Sequence, residues 1–141
     1  MKILLGIIIS LLLIAISAIH FYWAAGGKWG AAAAVPQMKG KLAFQPGRGI
    51  TAFVALIFLA FAAAIFSRTT FSLPFLPEKW AQAGVWVIAV LFILRAIGDF
   101  RFVGFTKKVK GSVFARLDSR FYSPLSFFIG LVALLICLLK N

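Results

Sequence analysis

Seven residues in this 141-residue chain stand out chemically against their surroundings: His20, Tyr22, Trp23, Arg95, Asp99, Asp118 and Tyr122. His20 is the one histidine, and Asp99 and Asp118 are two of only three acids. An imidazole titrates near working pH and can pass a proton. A carboxylate beside it can orient it, and an arginine can hold an anion. Arg95 and Asp99 are four residues apart, which on a helix puts them on one face as an ion pair. His20 precedes Trp23 by nearly one turn, and Tyr22, Trp23 and Tyr122 are aromatic. Together these residues could form a ligand clamp, a proton-handling pair or an acid/base centre. Each also has a plainer explanation. Arg95 and Asp99 could simply neutralise one another. His20 could hydrogen-bond to Asp99 or Asp118. Asp118 could cap a helix or pair with Arg116 or Arg120. The aromatics could form an interfacial belt. No HxxxH or ExxH spacing supports a metal centre, and neither a metal nor a cofactor is expected.

The surrounding elements decide where these residues lie. Hydrophobic residues make up 63% of the chain, 13% are charged, and the mean hydropathy is +1.05. A soluble domain of this length cannot hide so much apolar surface. The apolar runs predict four transmembrane helices at about 3–23, 49–67, 78–100 and 120–139 in a single membrane domain, 1–141. Each is near the ~20 residues that cross a bilayer. None shows the alternation of a barrel strand. The expected fold is an all-α, up-down-up-down membrane bundle with both termini on one side. Long basic loops at 24–48 and 101–119 then lie at the same face as the unusual polar residues.

Local signals refine the elements. Met1-Lys2 before an apolar run resembles a secretion signal, but the run exceeds the usual signal core and reads as a first transmembrane helix. Gly6, Ser10 and Ser17 form a stripe of small residues suited to close helix packing. Lys28 to Val35 could form a short interfacial helix stopped at Pro36, with Trp29 and Phe44 as interface anchors. Span two is rich in alanine. Pro77-Glu78 is a good opening for span three, and Ser123-Pro124 a capped start for span four, with Asp118 or Ser119 as an earlier alternative.

The charge of +12 comes from 15 Lys and Arg against 3 acids. On a membrane scaffold this points to anionic lipid head groups rather than nucleic acid. The two long loops and the residue that directly follows the second hold ten basic residues (Lys28, Lys39, Lys41, Arg48, Arg101, Lys107, Lys108, Lys110, Arg116, Arg120). The opposite face holds four: Lys2, Arg68, Lys79 and Lys140. The positive-inside rule therefore predicts cytoplasmic loops and outward termini. Lys2 alone argues the other way. Cys137 is the single cysteine, so neither an internal disulfide nor a CxxC pair exists.

Four segments resemble a bacterial membrane family, domain-of-unknown-function family 3995: His20-Phe21-Tyr22-Trp23-Ala24-Ala25-Gly26-Gly27, Phe44-Gln45-Pro46-Gly47, Leu94-Arg95-Ala96-Ile97-Gly98-Asp99-Phe100-Arg101 and Asp118-Ser119-Arg120-Phe121-Tyr122-Ser123-Pro124-Leu125. The resemblance implies a small four-helix integral membrane protein, bacterial and of the inner membrane, and carries no assigned activity.

Three functions fit. The first is a pocket at one membrane face, lined by His20, Tyr22, Trp23, Arg95, Asp99, Asp118 and Tyr122, that binds or transports an amphipathic or anionic small molecule or lipid. The second is a membrane-embedded enzyme acting on a lipid or isoprenoid-like substrate, with His20 as acid/base and Asp99 or Asp118 orienting it. The third is a structural or accessory subunit. Membrane lipids are the expected partners. A homodimer or a partner membrane protein is compatible with so narrow a bundle.

Overall fold

The computed structural model describes residues 1–139. Lys140, counted above, and Asn141 lie outside the described residues. In chain order the elements are α1 (Lys2–Ala24), α2 (Ala31–Ala34), β1 (Gln37–Met38), β2 (Lys41–Leu42), α3 (Arg48–Thr69), α4 (Glu78–Ile97), α5 (Val113–Leu117), a π-helical turn (Asp118–Tyr122) and α6 (Ser123–Leu138). Among the described residues, four helices are long and apolar enough to cross a membrane: α1, α3, α4 and the continuous run Val113–Leu138. Their 20 to 26 residues span roughly 30–39 Å at 1.5 Å per residue, enough for the hydrocarbon core.

Side-chain size sorts with position as a lipid solvent demands. The interior holds Ala55, Ala62, Ala89 and Ala133 among compact branched residues such as Ile9, Ile65, Val85 and Ile129. Large residues including Leu4, Leu11, Phe53, Leu91, Phe127 and Leu138 point outward. With lipid outside there is no water to drive the helices together. Small residues and interhelical hydrogen bonds must bring the backbones close.

The stripe on α1 does this. Gly6, Ser10 and Ser17 are all buried. Ser10 Oγ donates to the Ala62 carbonyl at 3.2 Å and Ser17 Oγ to the Ala55 carbonyl at 2.7 Å, while Gly6 lies against Thr69. The partner numbers fall as those of α1 rise, so α1 and α3 are antiparallel. Ala64 against Gly84, and Arg68 paired with Glu78, set α3 against α4 in the same sense. Gly130 of α6 packs on the backbone of Phe92 and Ile93 in α4.

Two expected helix ends differ. Span three stops at Ile97 rather than reaching residue 100, because Gly98 adopts φ +102° and turns the chain out. Span four begins at Val113, where Ser112 Oγ accepts the Ala115 N–H at 3.0 Å. Ser123 is therefore inside a helical run and is not its cap. Immediately before Pro124 the helix widens to a π turn, in which the Ser123 N–H donates to the Asp118 carbonyl five residues back. Proline has no N–H for the regular bond and its ring crowds the carbonyl four residues earlier. A widened turn relieves that crowding. A tight hairpin, β1 with β2, follows α2 and Pro36; its turn residues Lys39 and Gly40 both have positive φ.

Candidate functional site

The densest polar chemistry lies where α4 ends and the fourth span begins. α4 delivers Arg95 from its last turn. The helical run opposite delivers Asp118, Ser119 and Ser123, and the intervening loop delivers Gly104 and Lys107. Asp118 is the hub and has no exposed surface. Its Oδ1 accepts from Arg95 Nη2 at 2.6 Å. Its Oδ2 accepts from Lys107 Nζ at 3.0 Å, the Gly104 N–H at 2.9 Å and Ser123 Oγ at 3.0 Å. Lys107 Nζ also donates to the Gly104 carbonyl at 2.9 Å and to Ser119 Oγ at 2.7 Å. A carboxylate is stable in a dry interior only when so many donors replace its water.

The charges do not cancel. Two cations meet one carboxylate, leaving one positive charge in excess. The Lys107 side chain is 3% exposed and fully engaged, whereas that of Arg95 is 32% exposed. Arg95 Nη1 is buried and has no hydrogen-bond partner.

The loop is shaped to reach this hub. Gly98 and Gly104, both at positive φ, meet backbone to backbone. A Cβ on Gly98 would run into the Val103 carbonyl, and one on Gly104 into Gly98 itself. The Phe105 N–H then donates to the Ala96 carbonyl at 2.8 Å and the Thr106 N–H to that of Ile97 at 3.1 Å. These bonds satisfy carbonyls that the end of α4 leaves open. Asp99 lies in this loop, off the helix face that carries Arg95. The expected Arg95–Asp99 pair is replaced by Arg95–Asp118. Asp99 Oδ1 instead accepts the N–H groups of Arg101, Phe102 and Val103 at 2.9, 2.6 and 3.0 Å. Partial burial raises the carboxyl's pKa, but these backbone donors outweigh it and hold the group below its ordinary value.

The other predicted residues are elsewhere. His20 Nδ1 is 2.8 Å from the Ile16 carbonyl, and its ring lies between Trp23 and Phe58, each at 5.1 Å between centroids. Its partner is a carbonyl, where the sequence suggested Asp99 or Asp118. Trp23 Nε1 donates to the Trp29 carbonyl at 2.8 Å, and Tyr22 Oη accepts the Trp29 N–H at 3.4 Å. These aromatics fold the chain after α1 back on itself. Tyr122 Oη donates to the Ala33 carbonyl at 3.3 Å and ties α2 to the fourth span. Arg116 and Arg120, suggested partners of Asp118, give way to Arg95 and Lys107. Among the described residues no group of three His, Cys, Asp or Glu is placed to hold a metal. A shallow cleft of about 380 Å³ beside Tyr22 and Trp29 is apolar.

Lys107 is the residue that sequence reading overlooks. It sits in the run Lys107-Lys108-Val109-Lys110, which looks like a solvated basic loop. Its one distinguishing mark is position: it follows Gly104, the partner glycine of Gly98, by three residues.

Membrane-length helices, an interior of small residues and the ion-paired hub at Asp118 define a small all-α membrane protein. The chain belongs to a family described as Protein of unknown function (DUF3995), whose family model matches residues 13–133. No curated protein and no solved structure matches it.

Proposed function

We propose that the protein binds an amphipathic or anionic molecule, a membrane lipid included, at the face carrying Arg95, either to hold it or to carry it across. The carrying observation is Arg95 Nη1: a buried guanidinium nitrogen without a partner, in a cluster with one positive charge to spare. An unpaired buried donor is costly unless something accepts from it. An anionic oxygen does so and neutralises the cluster. The partly exposed Arg95 side chain gives the ligand its approach. Basic residues of the two long loops raise the local concentration of anions.

The test is thermal stability in a phosphate-free detergent, with anionic phosphatidylglycerol compared against zwitterionic phosphatidylcholine. Phosphatidylglycerol stabilises the wild type more, and this preference shrinks in Arg95→Gln. An undiminished preference in Arg95→Gln refutes the reading. Arg95→Lys, which keeps a charge for Asp118, controls for loss of the fold.

A second reading, the structural or accessory subunit, is favoured by the saturation of Asp118 by four donors. It predicts that Arg95 variants lose stability without any change in lipid response. The enzyme reading has less behind it, since His20 is oriented by a carbonyl and ringed by aromatics.

For topology, the proposal is an up-down-up-down bundle in the cell membrane, the bacterial inner membrane by family resemblance, with cytoplasmic long loops and both termini outside. The antiparallel registers support the order, and the excess of basic residues in the loops supports the side. Single cysteines at Lys41 and Lys108 in a Cys137→Ser background should resist a membrane-impermeant maleimide in whole cells and react after lysis.

A further inference from the structure

The loop beside Arg95 is built for a medium without water. The N–H groups of residues 101–106 lie outside any helix or strand, yet each has an acceptor within the chain. Three donate to the Asp99 carboxylate, one to Asp118, and two to the Ala96 and Ile97 carbonyls. A loop in water can leave such groups to solvent. Irregular backbone at membrane depth cannot, because no water is there to accept from it. The side chains agree. Phe100 and Phe105 are exposed on this loop, and so are Leu94 and Ile97 on the last turn of α4.

The depth of the site follows from α4. Its 20 residues cover about 30 Å, the thickness of a hydrocarbon core. Arg95 is two residues from its end, so the Arg95 backbone lies within that layer. Phe105 and Thr106, bonded to the Ala96 and Ile97 carbonyls, return the loop to the same level. The Arg95 side chain is 32% exposed, and what surrounds it there is lipid. A charge open to hydrocarbon is costly unless polar atoms cover it. Asp118 is shared between Arg95 and Lys107, which leaves one positive charge in excess. A soluble anion must give up its water to reach this level. A lipid carries its charged group to the hydrocarbon edge on its own chains. We infer that the Arg95 site takes its ligand sideways from the leaflet, and that this ligand is a membrane lipid with an anionic head group and not a water-soluble anion. The inference rests on the reading above, in which Arg95 holds the anion, and narrows it to one ligand class and one route. The head group meets Arg95 while the chains lie along Leu91 and Leu94, both exposed on α4.

Two measurements test it. The first leaves Arg95 and Asp118 untouched. Nitroxide labels are placed on single cysteines, Leu94→Cys and Phe105→Cys in a Cys137→Ser background, in liposomes. Oxygen, which concentrates in hydrocarbon, should relax both labels more than a water-soluble nickel chelate does. Greater relaxation by the chelate at either position means that the site opens to water; the inference is then overturned and the reading above stands. The second is calorimetric titration in maltoside detergent with dioctanoyl phosphatidylglycerol and with glycerophosphoglycerol, the same head group without chains. The lipid should bind wild type roughly tenfold or more tightly than Arg95→Gln, the effect of losing one charge-assisted hydrogen bond. Arg95→Lys, which keeps a cation for Asp118, should fall between them. Glycerophosphoglycerol should give no heat that depends on Arg95. If it binds as tightly as the lipid and loses that binding in Arg95→Gln, the ligand is a soluble anion, and the inference fails while the reading above survives. Equal lipid affinity in wild type and Arg95→Gln overturns both.

Discussion

Arg95 and Asp118, 23 positions apart, meet at 2.6 Å between Nη2 and Oδ1, and this contact joins the end of α4 to the widened turn before α6. The carboxylate is wholly buried, and the same group holds Lys107 and the Gly104 N–H. One side chain thus fastens two membrane helices and the loop between them.

Asp118→Asn should therefore be the most destabilising substitution among the three acids. The change keeps size and shape but leaves the buried Lys107 ammonium without a counter-charge. Breaking a buried pair in this way costs about 3–5 kcal/mol. Thermal unfolding in detergent measures it. A variant as stable as wild type would mean that Lys107 escapes to solvent at little cost. Lys107→Met combined with Asp118→Asn should recover part of the loss, because the uncompensated cation is then gone.

The loop closure makes a separate prediction. Gly104→Ala puts a Cβ at φ +84° against Gly98 and the Ile97 carbonyl, and backbone cannot yield as a side chain does. A non-glycine residue held in this region costs roughly 1–3 kcal/mol before any clash. Gly111, also at positive φ but with open space around it, is the control. Gly111→Ala should cost less, near 1 kcal/mol. Equal melting temperatures for the two variants would refute the close approach.

These two sites also mark how far sequence reading goes. Apolar spans of 19 to 23 residues are legible because hydrocarbon thickness sets their length. Arg95 and Asp118 are legible as rare charges at span ends. Their pairing is not, because the i, i+4 rule favours Asp99 as the partner of Arg95 and assumes that the helix continues. A single glycine at positive φ breaks that assumption. Lys107 is hidden for another reason: burial of one lysine among several depends on a tertiary loop path, which composition does not encode. His20 illustrates the converse. It is conspicuous as the one histidine, yet its neighbours are a carbonyl and two aromatic rings.

Asp99 yields a pH prediction. Its folded-state pKa lies below the ordinary value, held there by the Arg101, Phe102 and Val103 amides. A lowered pKa contributes stability above the unfolded value of about 3.9 and loses it as pH falls through the folded value. Hydrogen-exchange protection of those three amides, corrected for intrinsic rates, should be flat from pH 8 to pH 5 and decline only in stronger acid. A decline centred between pH 6 and 7 would assign control of the loop to another group. In Asp99→Asn the acid-dependent step disappears, and protection is lower at neutral pH because a neutral oxygen is the weaker acceptor.

The α1–α3 seam offers a test by paired substitution. Any Cβ on Gly6 falls within the Thr69 side chain, whose Oγ1 is itself bonded to the Ile65 carbonyl at 2.8 Å. Gly6→Ala must push the helices apart or force Thr69 into another rotamer. Overpacking of this kind costs typically 1–3 kcal/mol. Further along, Ser10→Ala and Ser17→Ala each remove one interhelical hydrogen bond, which in membrane proteins is worth only about 0.6 kcal/mol on average. The glycine should matter more than either serine, although it makes no hydrogen bond with its side. Thr69→Ala in the Gly6→Ala background removes Oγ1 and Cγ2 and should restore part of the loss, giving a coupling energy that distant pairs lack. If Gly6→Ala and Thr69→Ala are simply additive, the two residues are not in contact and the register of α1 on α3 must shift.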